Sequence, residues 1–405
     1  MSWTREQKHV TIAAYLGWTL DAFDFFLTVF VLKDIATAFN VKIPEVAFAI
    51  TLTLAMRPLG ALIFGRLADK YGRRPTLMLN IALYSVLGML SGFSPNLTTF
   101  LVLRSLFGVA MGGEWGVGSA LTMETIPPKS RGIVSGLLQA GYPSGFLLAS
   151  IVFGVFYQYV GWRGMFFIGV VPALLVLYIR RNVPESPAWK EMEKRPRPSL
   201  LTTLKHNFGL SIYAIVLMTC FNFFSHGTQD MYPTFLREQH HFDPHTVSVI
   251  TIVLNIGAIC GGLFFGSLSE KIGRRKAIFI SALIALPVLP LWAFSSGPVL
   301  LAMGAFLMQI SVQGAWGVIP VHLNEISPDE VRATFPGLVY QLGNLFASVN
   351  ATMQASFAVS HDDNYGLAMA VVAGTVAVII AVMILFSRER RGIDMTQSAK
   401  QVSAV

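Results

Sequence analysis

Charge is scarce in this sequence. Asp, Glu, Lys and Arg make up 13% of the 405 residues, against 54% hydrophobic residues. A soluble globular domain carries about a quarter charged residues, so this composition excludes an ordinary water-soluble fold. Cysteine is nearly absent. The two present, Cys220 and Cys260, lie in separate apolar runs, which excludes a disulfide framework or a cysteine metal site and leaves small packing residues. No Gly-rich Walker loop occurs, so ATP drive is not indicated. No nucleophile–base pair or metal-ligand constellation stands out, so the expectation is a protein that is not an enzyme and uses no cofactor and no metal. His240, His241 and His245 cluster in one loop without the cysteines or carboxylates a metal site would add, and read as a solvated loop. A short apolar core with a small-residue cleavage site is also missing at the start: the first apolar run begins near Val10, contains Asp21 and Asp24, and reads as a retained helix rather than a signal peptide.

What is present is length without charge. A helix needs about 20 apolar residues to cross the hydrocarbon core, and the sequence offers twelve such runs, at 10–32, 45–66, 76–94, 98–121, 132–159, 164–181, 209–232, 246–268, 277–296, 298–322, 333–359 and 365–387. In lipid every backbone polar group must be satisfied within its own segment, so an all-α integral membrane fold is expected, with the bilayer as its main partner. The net charge of +8 would suggest nucleic acid in a soluble protein. Here 24 of the 30 Lys and Arg fall in one set of alternating loops and the two tails, leaving Lys33, Lys42, Arg163 and Arg237 opposite and Arg57 and Arg104 inside spans. That is the positive-inside pattern. It predicts both termini in the cytoplasm, a plasma (inner) membrane location and no nucleic-acid partner. Between the sixth and seventh runs, residues 182–208 are polar, basic and proline-rich, a cytoplasmic linker with room for one short helix at Ala188–Lys194. The tail from Arg388 is charged and reads as disordered.

The most informative feature is an internal repeat. Gly65–Arg74 reads GRLADKYGRR and Gly266–Arg275 reads GSLSEKIGRR, an offset of 201 residues. The same offset carries Gly113 to Gly314, Trp115 to Trp316, Glu124 to Glu325, Pro127 to Pro328 and Arg131 to Arg332. One register held over that distance is not coincidence. The chain therefore divides into a six-helix bundle at 1–181, the linker at 182–208, a second bundle at 209–387 and a tail at 388–405. Even numbers of spans make the two halves parallel repeats, the architecture of the major facilitator superfamily. The loop motif resembles that superfamily's signature. Gly65, Asp69 and Arg73, with Gly266, Glu270 and Arg274, are the candidate gating elements: glycine permits close helix approach, and the acid can hold the opposing half.

Ionisable residues inside spans cost about 2.5–3.5 kcal/mol at a helix centre and are site candidates by default. They are Asp21 and Asp24, Arg57, Arg104 and Glu114, then His226 and Asp230. Glu124 and Glu325, near helix ends, read as structural. In the seventh span Asn222, Ser225, His226 and Gln229 share one helical stripe, with Asp230 at its edge. Such a stripe must face a cavity or another helix.

That span, Asn222-Phe-Phe-Ser225-His226-Gly-Thr228-Gln229-Asp230-Met-Tyr-Pro-Thr234, fills every fixed position of the motif of the sialate/lactate–proton symporter family, and the chain resembles that family over about residues 10–390. Trp18-Thr-Leu-Asp21-Ala-Phe-Asp24-Phe, Gly112-Gly-Glu114-Trp-Gly116 and Pro184-Glu-Ser-Pro187 extend the likeness. The resemblance implies a monomeric, proton-coupled symporter of a small organic acid anion. The 27-residue linker has no room for the two extra central spans of some sialate members, which tilts the expectation to a monocarboxylate such as lactate or pyruvate. A carboxylate in a low-dielectric cavity needs a fixed cation, and Arg57 offers a planar fork; it either holds substrate or pairs with Asp21 or Asp24, and the two are compatible. Asn222, His226 and Gln229, with Tyr142 and Gln341 as supplements, complete the expected substrate site. Asp230 and His226, then Asp24, Asp21, Arg104 and Glu114, are the expected proton-coupling groups.

Overall fold

The computed structural model describes residues 3–41, 43–192, 202, 205–232, 235–332, 334–362 and 364–393. Thr234 and the tail beyond Ile393 lie outside them. The described chain is helical: α1 Arg5–Phe30, α2 Leu32–Phe39, α3 Ile43–Tyr71, α4 Arg73–Ser91, α5 Leu97–Thr125, α6 Arg131–Gln139, α7 Gly141–Ile168, α8 Ala173–Asn182 and α9 Pro187–Met192, then α10 Phe208–Gln229, α11 Pro244–Ile272, α12 Arg274–Ala293, α13 Pro298–Ile326, α14 Thr334–Ala347, α15 Asn350–Val359 and α16 Tyr365–Leu385. Local signals set several starts. Thr4 and Gln7 form a capping box on α1, Asn96 caps α5 and Asp243 caps α11, each satisfying N–H groups that the first turn leaves open.

Among the described residues nine helices are long and apolar enough to cross a membrane, ten if the bent pair Val155–Ile168 and Ala173–Asn182 forms one span. The other two of the twelve expected runs are α4, whose first turn carries Arg73 and Arg74, and the run at 333–359, which breaks into α14 and α15. Gly161, at φ 62° and ψ −175°, turns the chain inside α7 where the fifth and sixth runs meet.

Close backbone packing fixes the site-bearing helices. α3 lies on α5, where a Cβ at Gly112 would collide with the Arg57 carbonyl. The second half repeats this with α11 on α13. In both GRR loops a glycine of positive φ, Gly72 at 114° and Gly273 at 97°, starts the next helix. Glu185 accepts hydrogen bonds from the N–H groups of Arg73 (3.0 Å) and Arg74, and Glu389 does the same for Arg274 (3.2 Å) and Arg275. A carboxylate on a helix N-terminus is favourable for charge and for hydrogen bonding. The tail is thus not loose from Arg388: residues through Ile393 fold back, with Glu389 serving as that cap and Arg391 donating to the Glu270 and Lys271 carbonyls. The apolar composition of the tail was too low to suggest packing, but its hydrogen-bonding groups supply it. His240, read as solvated, packs its ring between Phe235 and Phe242.

Candidate functional site between the two halves

The two GR motifs lie at one end of the bundle, where the halves are locked together. Asp69 accepts a hydrogen bond from the Thr334 hydroxyl, on the first residue of α14. Glu270 accepts from the N–H groups of Gly132 (2.9 Å) and Ile133 (3.2 Å), at the start of α6. Each acid therefore seats on a helix start in the opposite half. Gly65 lies against Thr334, and Gly266 against Gly132 and Gly136. Behind them Arg73 bridges Asp69 (3.2 Å) and Glu124 (3.0 Å), and Arg274 bridges Glu325 (3.2 Å), all buried. The Ser135 hydroxyl adds a bond to the Gly317 carbonyl (2.6 Å) across the same seam. α14 packs on α3 and α5 of the first half, while α15 packs on α10 and α16 of its own half.

Between these ends, a central cavity of about 20 Å³ is lined by Arg57, Gln139, Tyr142, Asn222, Ser225, His226, Gln313, Trp316 and Tyr340, which is about the room of one water. Four of the six expected substrate residues line it. Gln229 turns away to donate to Gln309 (2.8 Å), and Gln341 is fully buried in α14, outside the lining. Gln139, Ser225, Gln313, Trp316 and Tyr340 were not among the expected substrate residues. At the 201-residue offset Trp316 is the counterpart of Trp115, and Gln139 and Tyr340 are counterparts of each other. Trp115 and Trp316 flank the Tyr340 ring at 4.8 and 5.4 Å.

Arg57 is 2% exposed, and its Nε has no hydrogen-bond partner. Its Nη2 touches the Met111 sulfur, its guanidinium lies 5.5 Å from the Phe25 ring, and it donates to the Tyr340 hydroxyl oxygen. Among the described residues no carboxylate oxygen comes within the 4.0 Å of an ion pair. The alternative of a direct pair with Asp21 or Asp24 is therefore not formed; the Arg57 charge acts on Asp21 only from farther away.

The remaining candidates form two separate groups. His226 faces Asp230 through Nδ1 (3.0 Å) and the Asn344 side-chain oxygen through Nε2 (3.1 Å). Each ring nitrogen therefore has an oxygen partner. Asp230 is 40% exposed, so water reaches this pair at the end away from the GR loops. In the first half Asp21, Asp24 and Glu114 are buried, and none of their six carboxyl oxygens has a hydrogen-bond partner. Arg104 does not neutralise them by contact. It donates to Ser91 (3.0 Å), to Thr28 (3.2 Å) and to the Leu87 carbonyl, with the Phe107 ring 4.2 Å away.

Two bundles of apolar helices, locked at one end around a small polar cavity, define a multi-pass α-helical membrane protein built from paired repeats. The description "Major Facilitator Superfamily" matches residues 14–235 and 215–403, and the chain belongs to that superfamily of transporters, which are not enzymes. It is 30% identical to the sialic acid transporter NanX of Escherichia coli, over 92% of this chain and 91% of that one. It is 29% identical to a carboxylic acid transporter protein homolog of Saccharomyces cerevisiae, over 94% of this chain and 68% of that one. Among solved structures, a proton:xylose symporter, XylE, superposes with a TM-score of 0.81 at 19% identity, covering 98% of this chain and 99% of that one, a likeness of fold alone.

Proposed function

We propose that the chain is a proton-coupled symporter of small organic acid anions, with monocarboxylates such as lactate or pyruvate its preferred cargo. It works by alternating access, as two rigid bundles at 1–181 and 209–387 rock about the central cavity, in a plasma (inner) membrane with both termini cytoplasmic. The observation that carries the reading is Arg57: a permanently charged guanidinium buried in the cavity wall without a carboxylate partner. A buried unpaired charge is expensive, and an incoming carboxylate satisfies it with a bidentate, charge-assisted pair. One proton carried with one monoanion leaves the cargo neutral. Two relatives, a carboxylic acid transporter homolog and a sialic acid transporter, agree with an acid as substrate.

In vesicles, an inward proton gradient should drive accumulation of labelled lactate or pyruvate. Arg57→Ala should weaken uptake by roughly thirtyfold or more, since stranding one partner of a buried charge pair costs about 2–5 kcal/mol. Arg57→Lys should rescue only in part, because an ammonium lacks the planar fork. Accumulation indifferent to a protonophore would end the coupling claim. Sialate outcompeting lactate in a panel of acids would move the assignment to the larger substrate, and binding without net flux would mark a sensor.

A further inference from the structure

At the locked end of the second half, beside the α12 start and the α16 end, lies a cavity of about 660 Å³ lined by Arg275, Lys276, Phe279, Leu385, Glu389 and Arg391, among others. It straddles a sharp change in chemistry. Among the described helices α16 is the most apolar; it ends at Leu385, and Arg388, Arg390 and Arg391 follow at once. Such a crossover marks the level where hydrocarbon gives way to headgroups. Below it, half-buried Phe279 and exposed Leu385 line the cavity, and Ile280 and Val382 are exposed on the same two helices. Above it stand three lining cations, Arg275, Lys276 and Arg391. The lining holds one carboxylate against them, Glu389, which also accepts from the N–H groups of Arg274 and Arg275. Arg275 uses its side chain on the Ile384 and Leu385 carbonyls, which braces the cavity wall. Lys276 is exposed, and Arg391 spends one nitrogen on two backbone carbonyls.

From this we infer that the cavity holds the headgroup of an anionic phospholipid, its phosphate between Lys276 and Arg391 and its acyl chains descending over Phe279 and Leu385. The apolar floor selects for a lipid over a free ion, and the excess of positive charge selects for an anionic lipid over a zwitterionic one. The repeat makes the site specific to the second half: at the offset of 201 residues, Pro75 stands where Lys276 does.

The test is native mass spectrometry of the full chain released from nanodiscs of equal parts phosphatidylglycerol and phosphatidylcholine. Wild type should retain phosphatidylglycerol preferentially. Lys276→Gln and Arg391→Gln should each lower that preference by about fivefold, the worth of one basic residue at an anionic surface, and Lys276→Arg should restore it, which a merely structural lesion would not allow. Equal phosphatidylglycerol retention by wild type and the Lys276→Gln/Arg391→Gln double variant would overturn the inference. So would displacement of the lipid by excess inorganic phosphate, the mark of a free-anion site. Neither result depends on which solute the protein carries.

Discussion

The first helix of each half holds the same place in the repeat, yet α1 and α10 treat their polar groups in opposite ways. At the common offset Asp21 corresponds to Asn222 and Asp24 to Ser225. On α1 the carboxyls are sealed and have no hydrogen-bond partner. On α10 nearly every polar group is engaged: Asn222 donates to the Met218 carbonyl (2.8 Å), Thr228 to the Phe224 carbonyl (2.9 Å), Gln229 to Gln309, and His226 lies between Asp230 and Asn344. A carboxylate charge sealed without partners costs several kcal/mol, and a proton on the acid removes that cost. A hydrogen-bonded, water-reached stripe tolerates charge. Within the proposed symport, the first half stores the proton while the second half, with Arg57, recognises the anion.

The sharpest way to break that division is to remove the protons without changing shape. Asp21→Asn and Glu114→Gln replace buried acids by neutral isosteres. Proton-driven accumulation should fall by roughly a hundredfold, a loss of about 2.7 kcal/mol of coupling, while exchange of labelled for unlabelled substrate across the same vesicles continues. On the proposed division thermal stability should hold, because an amide then replaces an uncharged acid. If either variant instead lost about 3–5 kcal/mol, as breaking a buried ion pair does, the acids would be charged partners and the contrast between the halves would fail. The same arithmetic supplies an internal standard. Glu124→Gln and Glu325→Gln each remove one end of a bridge buried on both sides, and each should show that 3–5 kcal/mol loss in chemical denaturation. A loss in one half alone would mean that the repeats do not share their stabilising chemistry.

Much of this was legible before any coordinates. The repeat names both GR loops, and the rule that buried charge marks function names Arg57, Asp21, Asp24 and Glu114 from residue type alone. What could not be read was direction. Gln229 shares a helical stripe with His226, yet its amide reaches Gln309 on α13, and stripe geometry does not say which neighbour a long side chain meets. Gln341 lies buried in α14 outside the cavity lining, a placement that its position in the sequence does not give. Trp316 and Tyr340 were passed over because an aromatic residue in an apolar helix looks like core, and only the placement of α13 and α14 against α5 brings them to the cavity. The tail showed the converse error: low hydrophobicity hid an ordered cap, because Glu389 is held by backbone N–H groups.

The smallest effect should come from the satisfied side of the comparison. Gln309 is fully buried and links two residues of the α10 motif, accepting from Gln229 and donating to the Thr228 hydroxyl (3.1 Å). It does not line the cavity. Gln309→Leu keeps the volume but strands the Gln229 amide, and an unsatisfied buried group costs about 1–3 kcal/mol. Half-buried Gln229 can recover part of that from water, so the lower end is expected. If α10 recognises substrate through its cavity-facing residues and uses Gln229 to fix its seat on α13, uptake should stay within a factor of about three, under 0.7 kcal/mol, with KM and Vmax moving together. A large rise in KM alone would mean that Gln229 turns into the cavity during transport, and the recognition surface of the second half would then have to be redrawn to include it.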